Sequence, residues 1–143
     1  MTVPGVRVLA NSKSEVQEMS ATPREVAESY WRAEESRSVE AVLSHFHEDA
    51  VFHPVTGPLE GHSEIRTFYD GMGDTFPGLE VTITHEVTSG DEAALEWEAV
   101  LIDREGRRFP IRGVNIVRVR EGKFEHVRAY FDPTQFPTPG SVE

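Results

Sequence analysis

The chain changes its hydrophobic period at Pro77-Gly78, and this change constrains the fold more than any other feature. Before this point apolar residues recur every three or four positions, which is the spacing of amphipathic helices. After it, apolar and polar residues alternate, and the turns that interrupt the alternation lie at Gly90-Asp91, Glu105-Gly106 and Glu121-Gly122. Helices followed by such a meander predict an α+β fold, with the helices packed on one face of a curved antiparallel sheet.

The first half of the chain predicts three helices. Thr22 and Pro23 supply an N-cap and a first-turn proline, and the helix that follows carries on one face Val26, Ala27, Tyr30 and Ala33. The second helix is predicted to start near Ser38, with an apolar face made of Val39, Val42, Leu43 and Phe46. The third is predicted from about Ser63, with an apolar stripe made of Ile65, Phe68, Tyr69, Met72 and Phe76.

The second half predicts long strands with one apolar face each. The first of them is expected to carry on one face Leu79, Val81, Ile83, His85 and Val87. On a later strand Asn115 shares a face with Ile111, Gly113, Val117 and Val119. A buried amide needs partners or costs about 1–3 kcal/mol, so we expect Asn115 to contact a ligand or to make a tight internal hydrogen bond.

Length and composition bound the organisation and the class of protein. Residues 1–21 are expected to form a loose extension, with Met19 as an alternative start, residues 22–135 one domain, and residues 136–143 a flexible tail. The net charge of −11 argues against nucleic acid and anionic membranes as partners. No apolar run resembles a signal peptide or approaches the ~20 residues of a membrane span, which predicts a cytoplasmic protein. The absence of cysteine excludes disulfides, thiolate zinc sites and a cysteine nucleophile.

His53 is the first candidate for chemistry. It ends a short predicted strand, Ala50 to His53, and Pro54 follows at once, where pairing must stop. A histidine at that position is well placed to face a pocket, and an imidazole near neutral pH serves as general base or acid. The alternative is a histidine that only hydrogen-bonds a neighbouring carbonyl.

Three segments carry a family resemblance, namely D-A-V-F-H-P at 49–54, G-H-S-E-I-R-T-F-Y at 61–69 and G-K-F-E-H-V-R-A-Y-F-D at 122–132. With the order of elements, they resemble the nuclear transport factor 2-like superfamily, in particular its SnoaL-like and ketosteroid-isomerase-like branches, over roughly residues 22–135. The resemblance implies a cone-shaped domain with its three helices on the concave face of the sheet and a deep apolar pocket between them. It also implies frequent dimerisation through the outer sheet face.

The ketosteroid isomerase pattern has a tyrosine in its first helix, and the corresponding residue of this chain is Tyr30. The resemblance implies that Tyr30 donates a hydrogen bond to a developing oxyanion. The position of the aspartate base holds His53, and that of the later aspartate holds Asn115, so the chain departs from the pattern at both. SnoaL-like cyclases often carry an acid/base aspartate near the end of the last strand, where this chain has Asp132. An Asp-Pro turn is the alternative there.

The resemblance implies proton transfer next to a carbonyl as the reaction, giving isomerisation, cyclisation or dehydration of a small apolar molecule without a cofactor. Expected pocket walls are Phe52, Phe68, Trp97, Val127 and Phe131, and no residue spacing predicts a metal site. A non-catalytic ligand-binding or association domain is the first alternative. Epoxide-hydrolase chemistry is the second, and the Asp-Arg-Asp set that it needs cannot be assembled. A sheet face mixing Arg112, Arg118 and Arg128 with Glu96, Glu98, Val and Ile predicts a homodimer.

Overall fold

The computed structural model describes residues 21–135, so apart from Ala21 the expected N-terminal extension and tail lie outside the described residues. The helices are α1 (Pro23–Glu35), α2 (Val39–Leu43) and α3 (Gly61–Thr75). Thr22 caps α1 as predicted, because its hydroxyl accepts from the Glu25 N–H while the Glu25 carboxylate accepts from the Thr22 N–H. Within the described residues, no helix is long and apolar enough to cross a bilayer.

Six strands form one curved, unclosed sheet in the order β2-β1-β6-β5-β4-β3. They are β1 (Phe46–His53), β2 (Leu59–Glu60), β3 (Gly78–Ser89), β4 (Glu92–Ile102), β5 (Arg108–Arg120) and β6 (Lys123–Phe131), and a 3₁₀ turn spans Pro133–Gln135. Helix α1 packs against β3, β4 and β5, and α3 packs against β1. The predicted α+β fold, with helices on the concave face of a curved sheet, is confirmed.

The sheet is mixed rather than purely antiparallel, because β1 runs parallel to β6. Strand β1 is also longer than predicted and begins at Phe46, which the helical spacing had assigned to the second helix. Phe46 pairs with Phe124 of β6 and is 1% exposed. Tertiary pairing with a strand almost eighty residues later therefore overrides the local spacing, and no pattern within one segment reveals such a partner.

Strand β3 departs from the predicted alternation after Ile83. The pairing with β4 shifts there, so that Ile83 lies opposite Trp97, whereas His85 lies opposite Glu96 and Val87 opposite Ala94. The extra residue exchanges the two faces, which leaves Val87 60% exposed and His85 outside the core. A strict period of two cannot survive one inserted residue.

Gly113 allows two cavity side chains to lie across β5. It pairs with Trp97 on one side and Phe131 on the other. A Cβ atom at this position would lie 2.7 Å from Trp97 Cζ2 and 2.9 Å from Phe131 Cβ, and against the Tyr130 carbonyl oxygen. The absence of a side chain at 113 is therefore what lets the two aromatic rings approach each other.

We predict that Gly113→Ala lowers the free energy of unfolding by about 1–3 kcal/mol, the usual cost of overpacking. Urea unfolding followed by tryptophan fluorescence measures this, and the native emission spectrum should also change because Trp97 must move. The matched control is Gly71→Ala in α3, where a Cβ meets nothing within 4 Å. That change should stabilise by up to about 1 kcal/mol. Equal stability of Gly113→Ala and wild type would contradict the close approach.

Candidate functional site

A cavity of about 260 Å³ lies between the helices and the concave face of the sheet. Its walls are mainly apolar, and they include the aromatic rings of Trp31, Phe52, Phe68, Trp97 and Phe131. Exposed lining residues at Val55, Thr56 and Pro133 mark its mouth, next to the turn after β1 and the end of β6. Four of the five expected wall residues, namely Phe52, Phe68, Trp97 and Phe131, are in this wall.

Few polar side chains reach the cavity, and three of them meet on the helical side. Tyr30 and Glu34 are four residues apart on α1, so they lie on one face of the helix, and Tyr69 comes from α3. The two tyrosine hydroxyls hydrogen-bond each other. Burial raises the pKa of Tyr30 and of Tyr69 well above the usual range, and both phenols therefore remain neutral donors.

Glu34 is the cavity residue whose charge changes near neutral pH. Its side chain is 13% exposed, and burial raises the pKa of its carboxyl to about 7. The Arg37 guanidinium and a hydrogen bond from Tyr30 oppose this rise, while the Glu35 carboxylate adds to it. When Glu34 is ionised, Tyr30 donates to it, and Tyr30 must then accept from Tyr69 because it has a single proton.

Sequence reasoning missed Glu34, although a signal was present. Tyr30 was singled out on the apolar face of α1, and position i+4 of the same face holds a carboxylate where an apolar residue is expected. An acidic side chain that interrupts an apolar stripe must be buried at a cost, and such groups have perturbed pKa values.

Asn115 lies in the cavity wall opposite the helices and is 5% exposed. Its Oδ1 accepts a hydrogen bond of 2.9 Å from Trp97 Nε1. An indole N–H can only donate, so this bond fixes the amide with its oxygen towards Trp97 and its Nδ2 turned away. Among the described residues Nδ2 has no hydrogen-bond acceptor, and it is therefore free to donate to a ligand.

The prediction that His53 faces the pocket is wrong, because His53 does not line the cavity. Phe52 points inwards, and strand alternation turns His53 to the outer face, near His126 and Arg128. Its Nδ1 lies 3.2 Å from the Pro54 carbonyl oxygen, which matches the alternative role of a histidine bonded to a neighbouring carbonyl. The motif H-P correctly indicated where the strand ends. It did not indicate which face of the sheet His53 occupies, because that depends on Phe52 pointing inwards.

Two further residues lie outside the cavity wall. Val127 is fully buried in the core, opposite Phe52 on β1 and Val117 on β5, rather than exposed to the cavity. Asp132 is exposed, and its Oδ1 accepts from the Thr134 N–H at 3.0 Å and from the Thr134 hydroxyl at 2.8 Å. These bonds lower the pKa of Asp132 and make it the first residue of a turn, as the alternative interpretation had it.

The described residues hold no group of three or more His, Cys, Asp or Glu side chains placed to bind a metal ion. Inside its mouth, the cavity instead carries a carboxyl, two phenols and an amide. Such a set can move a proton and can donate hydrogen bonds to an oxygen on which negative charge develops.

Comparison with known proteins gives a family and a fold. The family model described as SnoaL-like domain matches residues 27–127. The Δ5-3-ketosteroid isomerase from Mycobacterium sp. is 22% identical over 80% of this chain and 97% of its own, with a TM-score of 0.71. A putative isomerase from Bacillus subtilis is 16% identical over 85% and 91%, also with a TM-score of 0.71. TerC, co-crystallised with polyporic acid, is 19% identical over 79% and 93%, with a TM-score of 0.69. No curated protein matches significantly.

We predict that Glu34 makes the protein less stable as the pH rises from about 4.5 to about 7. Its pKa is raised on folding, so the folded state keeps a proton that the unfolded state loses in this window. Glu34→Gln removes this loss, and its stability relative to wild type should increase by about 3 kcal/mol between pH 4 and pH 8. Urea unfolding of both proteins across this range measures the difference.

The exposed Glu48→Gln serves as the matched control. A difference between Glu34→Gln and wild type that stays constant from pH 4 to pH 8 would show that folding leaves the pKa of Glu34 unchanged, and would contradict its raised pKa.

Proposed function

The chain belongs to the SnoaL-like domain family, and from this premise we propose that it is an enzyme that moves a proton next to a carbonyl group of a small apolar molecule. The reaction class is isomerisation, cyclisation or dehydration without a cofactor. The observation that supports it is Glu34, a carboxyl with a pKa of about 7 beside two neutral phenols in an apolar cavity. A proton-transfer group is most effective when its pKa lies near the working pH.

In this proposal the ionised Glu34 removes a proton from the carbon next to the carbonyl. The C–H electron pair forms a C=C bond, the carbonyl π electrons move to oxygen, and the proton ends on the Glu34 carboxylate. Glu34 then no longer needs the hydrogen bond from Tyr30. That O–H becomes available to the enolate oxygen at the moment when the oxygen becomes negative, and donors placed where charge develops stabilise the transition state most.

Asn115 and the aromatic walls complete the proposed site. The Asn115 Nδ2 donates to a second ligand oxygen from the sheet side, and its orientation is held by Trp97. Phe52, Phe68 and Phe131 exclude water from the carbon centre, which strengthens each of these interactions because the local dielectric is low. A ligand-binding domain without catalysis is the alternative, and the internal bond of Asn115 to Trp97 is the observation that favours it.

We predict that the protein catalyses exchange of the α-protons of a bound cyclic ketone with solvent deuterium, measured by ¹H NMR. Glu34→Gln should reduce the exchange rate by at least about 100-fold, since it removes the base, and Tyr30→Phe by roughly 10-fold or more, since it removes one donor. The exposed Arg66→Gln on α3 is the control for each variant.

His53→Gln decides between the two candidate bases. If His53→Gln abolishes exchange and Glu34→Gln does not, the base is the histidine and our assignment is wrong. Ketones that bind without any exchange in the wild type would identify a binding domain.

We propose further that the outer face of the sheet pairs with a second copy of the chain. Basic residues of β1 and β6, including His53, His126 and Arg128, lie on one side of this face, and Glu96 and Glu98 of β4 lie on the other. Between them, on β5, lie the apolar side chains Val114 and Ile116, and the half-exposed Tyr130 of β6 lies opposite Val114. A two-fold axis through β5 would bring the basic side of one copy onto the acidic side of the other.

Sedimentation velocity tests this proposal. We expect the wild type to sediment at twice the 16.1 kDa chain mass and Val114→Asp at the mass of one chain, because a carboxylate at the apolar centre, opposite Tyr130 and Glu96, would be buried unpaired. Thr67→Asp on the exposed face of α3 is the matched control and should leave the dimer intact. A wild-type monomer at every concentration would contradict the proposal.

A further inference from the structure

Arg37 is a buried cation that the proposed reaction has not yet used. Its side chain is 14% exposed, and its Nη1 lies 4.0 Å from Glu34 Oε2. The other two guanidinium nitrogens, Nε and Nη2, are buried and have no hydrogen-bond partner within residues 21–135. Buried polar groups are almost always paired, and a charged one is costly to leave unpaired.

The backbone at Arg37 adds a second cost. Arg37 follows the C-cap Ser36 of α1 and has a φ of +59°, in the left-handed region where helix ends usually place glycine. The conformation turns the side chain back under α3, where its Cδ lies 3.9 Å from the position that a Cβ of Gly73 would occupy. A residue that combines backbone strain with an incompletely paired buried charge indicates a functional requirement at this position.

The groups around Arg37 are rich in donors and poor in acceptors. Tyr30 and Tyr69 are neutral phenols, and both lie near enough to feel the charges of Arg37 and Glu34. The neighbouring Glu35 carboxylate is engaged elsewhere, because it accepts from the Val81 N–H and from Arg32. Glu34 is therefore the acceptor that faces Arg37, and when Glu34 is protonated the cluster keeps an uncompensated positive charge.

Building on the proposed function, we infer that this end of the cavity holds a single negative charge that passes between Glu34 and a ligand oxygen, with Arg37 as its fixed counter-charge. The substrate class is then an acidic carbonyl compound that binds as its enolate. In the first state the ligand is an enolate and Glu34 is protonated. The proton moves from the Glu34 oxygen to the enolate carbon, the C=C electrons form the new C–H bond, and the oxygen lone pair restores the C=O bond.

The charge balance explains why Arg37 does not bond Glu34 more closely. In the second state the ligand is a neutral ketone and Glu34 is ionised, so the total charge beside Arg37 is unchanged. A bidentate Arg37–Glu34 pair would hold Glu34 ionised and would favour this second state alone. At 4.0 Å, with the phenols of Tyr30 and Tyr69 alongside, Arg37 stabilises negative charge on either partner. Arg37 is thus a positioning residue that acts on charge through Glu34.

The test compares a ligand anion with a neutral ligand of the same shape. 2-Hydroxy-1,4-naphthoquinone is an acidic enol that is ionised at neutral pH, and its methyl ether, 2-methoxy-1,4-naphthoquinone, carries no charge. Isothermal titration calorimetry at pH 6 and pH 8 in two buffers of different ionisation enthalpy gives both the affinity and the number of protons taken up. We expect the anion to bind more tightly than the ether, with uptake of about one proton at pH 8. Little uptake is expected at pH 6, where Glu34 is already protonated.

Variants separate the two partners of the charge. Arg37→Gln should weaken binding of the anion on the order of 100-fold and leave the ether unaffected, because only the anion interacts with the lost charge. Arg37→Lys keeps the charge and should restore most of the affinity. Glu34→Gln should abolish the proton uptake at pH 8 while the anion still binds. The matched control is Arg66→Gln, which removes an exposed arginine on α3 and should change neither affinity nor uptake.

An anion that binds no better than its ether in the wild type would overturn the inference, as would no binding of either probe. If Arg37→Gln loses affinity for both probes alike and Arg37→Lys does not restore it, the role of Arg37 is structural. The outcomes also separate this inference from the proposed function. If the protein exchanges the α-protons of a ketone but binds the anion no better than the ether, the proposed function stands and the inference that the substrate binds as its enolate is wrong. If the protein prefers the anion and takes up a proton but exchanges no α-protons, the proposed proton transfer is wrong and the anion-binding site remains.

Discussion

The hydrogen bond between the hydroxyls of Tyr30 and Tyr69 joins α1 to α3 above the sheet, and the cavity depends on it. Around it, Tyr30 makes edge contacts with Phe46 and Phe124, and Tyr69 stacks on Phe52. The two helices are thereby held by aromatic packing at one end and by a polar bond inside the cavity. A buried phenol must keep a partner, so neither helix can shift without breaking a bond that costs about 1–3 kcal/mol to leave unmade. The same constraint fixes where the two O–H groups point.

Burying Glu34 and Arg37 beside these phenols costs stability that an apolar pair would not cost. Well-packed apolar residues in place of a buried ion pair are often neutral or stabilising. The chain also places Arg37 at a positive φ, where glycine would be unstrained. The structure thus accepts an electrostatic and a conformational cost within four residues at the end of α1, where Glu34 lines the cavity and Arg37 lies beside it. This concentration of costs is what separates a site from ordinary core packing.

The sequence predicted the elements well and their faces less well. The capping signal of Thr22 and the stop at Pro77-Gly78 are local, and both lie where the structure places the helix ends. The faces of β3 depend on a bulge after Ile83, and the start of β1 depends on pairing with the distant β6. Neither can be predicted from the pattern of a single segment. Asn115 was recognised because an amide interrupted an apolar alternation, and Glu34 was open to the same reasoning on a helix. The strand end before Pro54 drew attention to His53 instead, and the resemblance added to that interpretation.

In the proposed function the proton-transfer group lies on α1 and not at the strand end, and this placement has a geometric reason. At a strand end, one residue decides between cavity and outer face, and here Phe52 takes the inward position and leaves His53 outside. On a helix, a residue four positions from Tyr30 must share its face, so a carboxylate at 34 enters the same cavity whatever happens in the sheet. In the proposed function the site therefore stays beside Tyr30, while its titrating group lies on a helix and not at the end of a strand. For that reason the position of a functional residue in one branch of a fold family does not locate it in another.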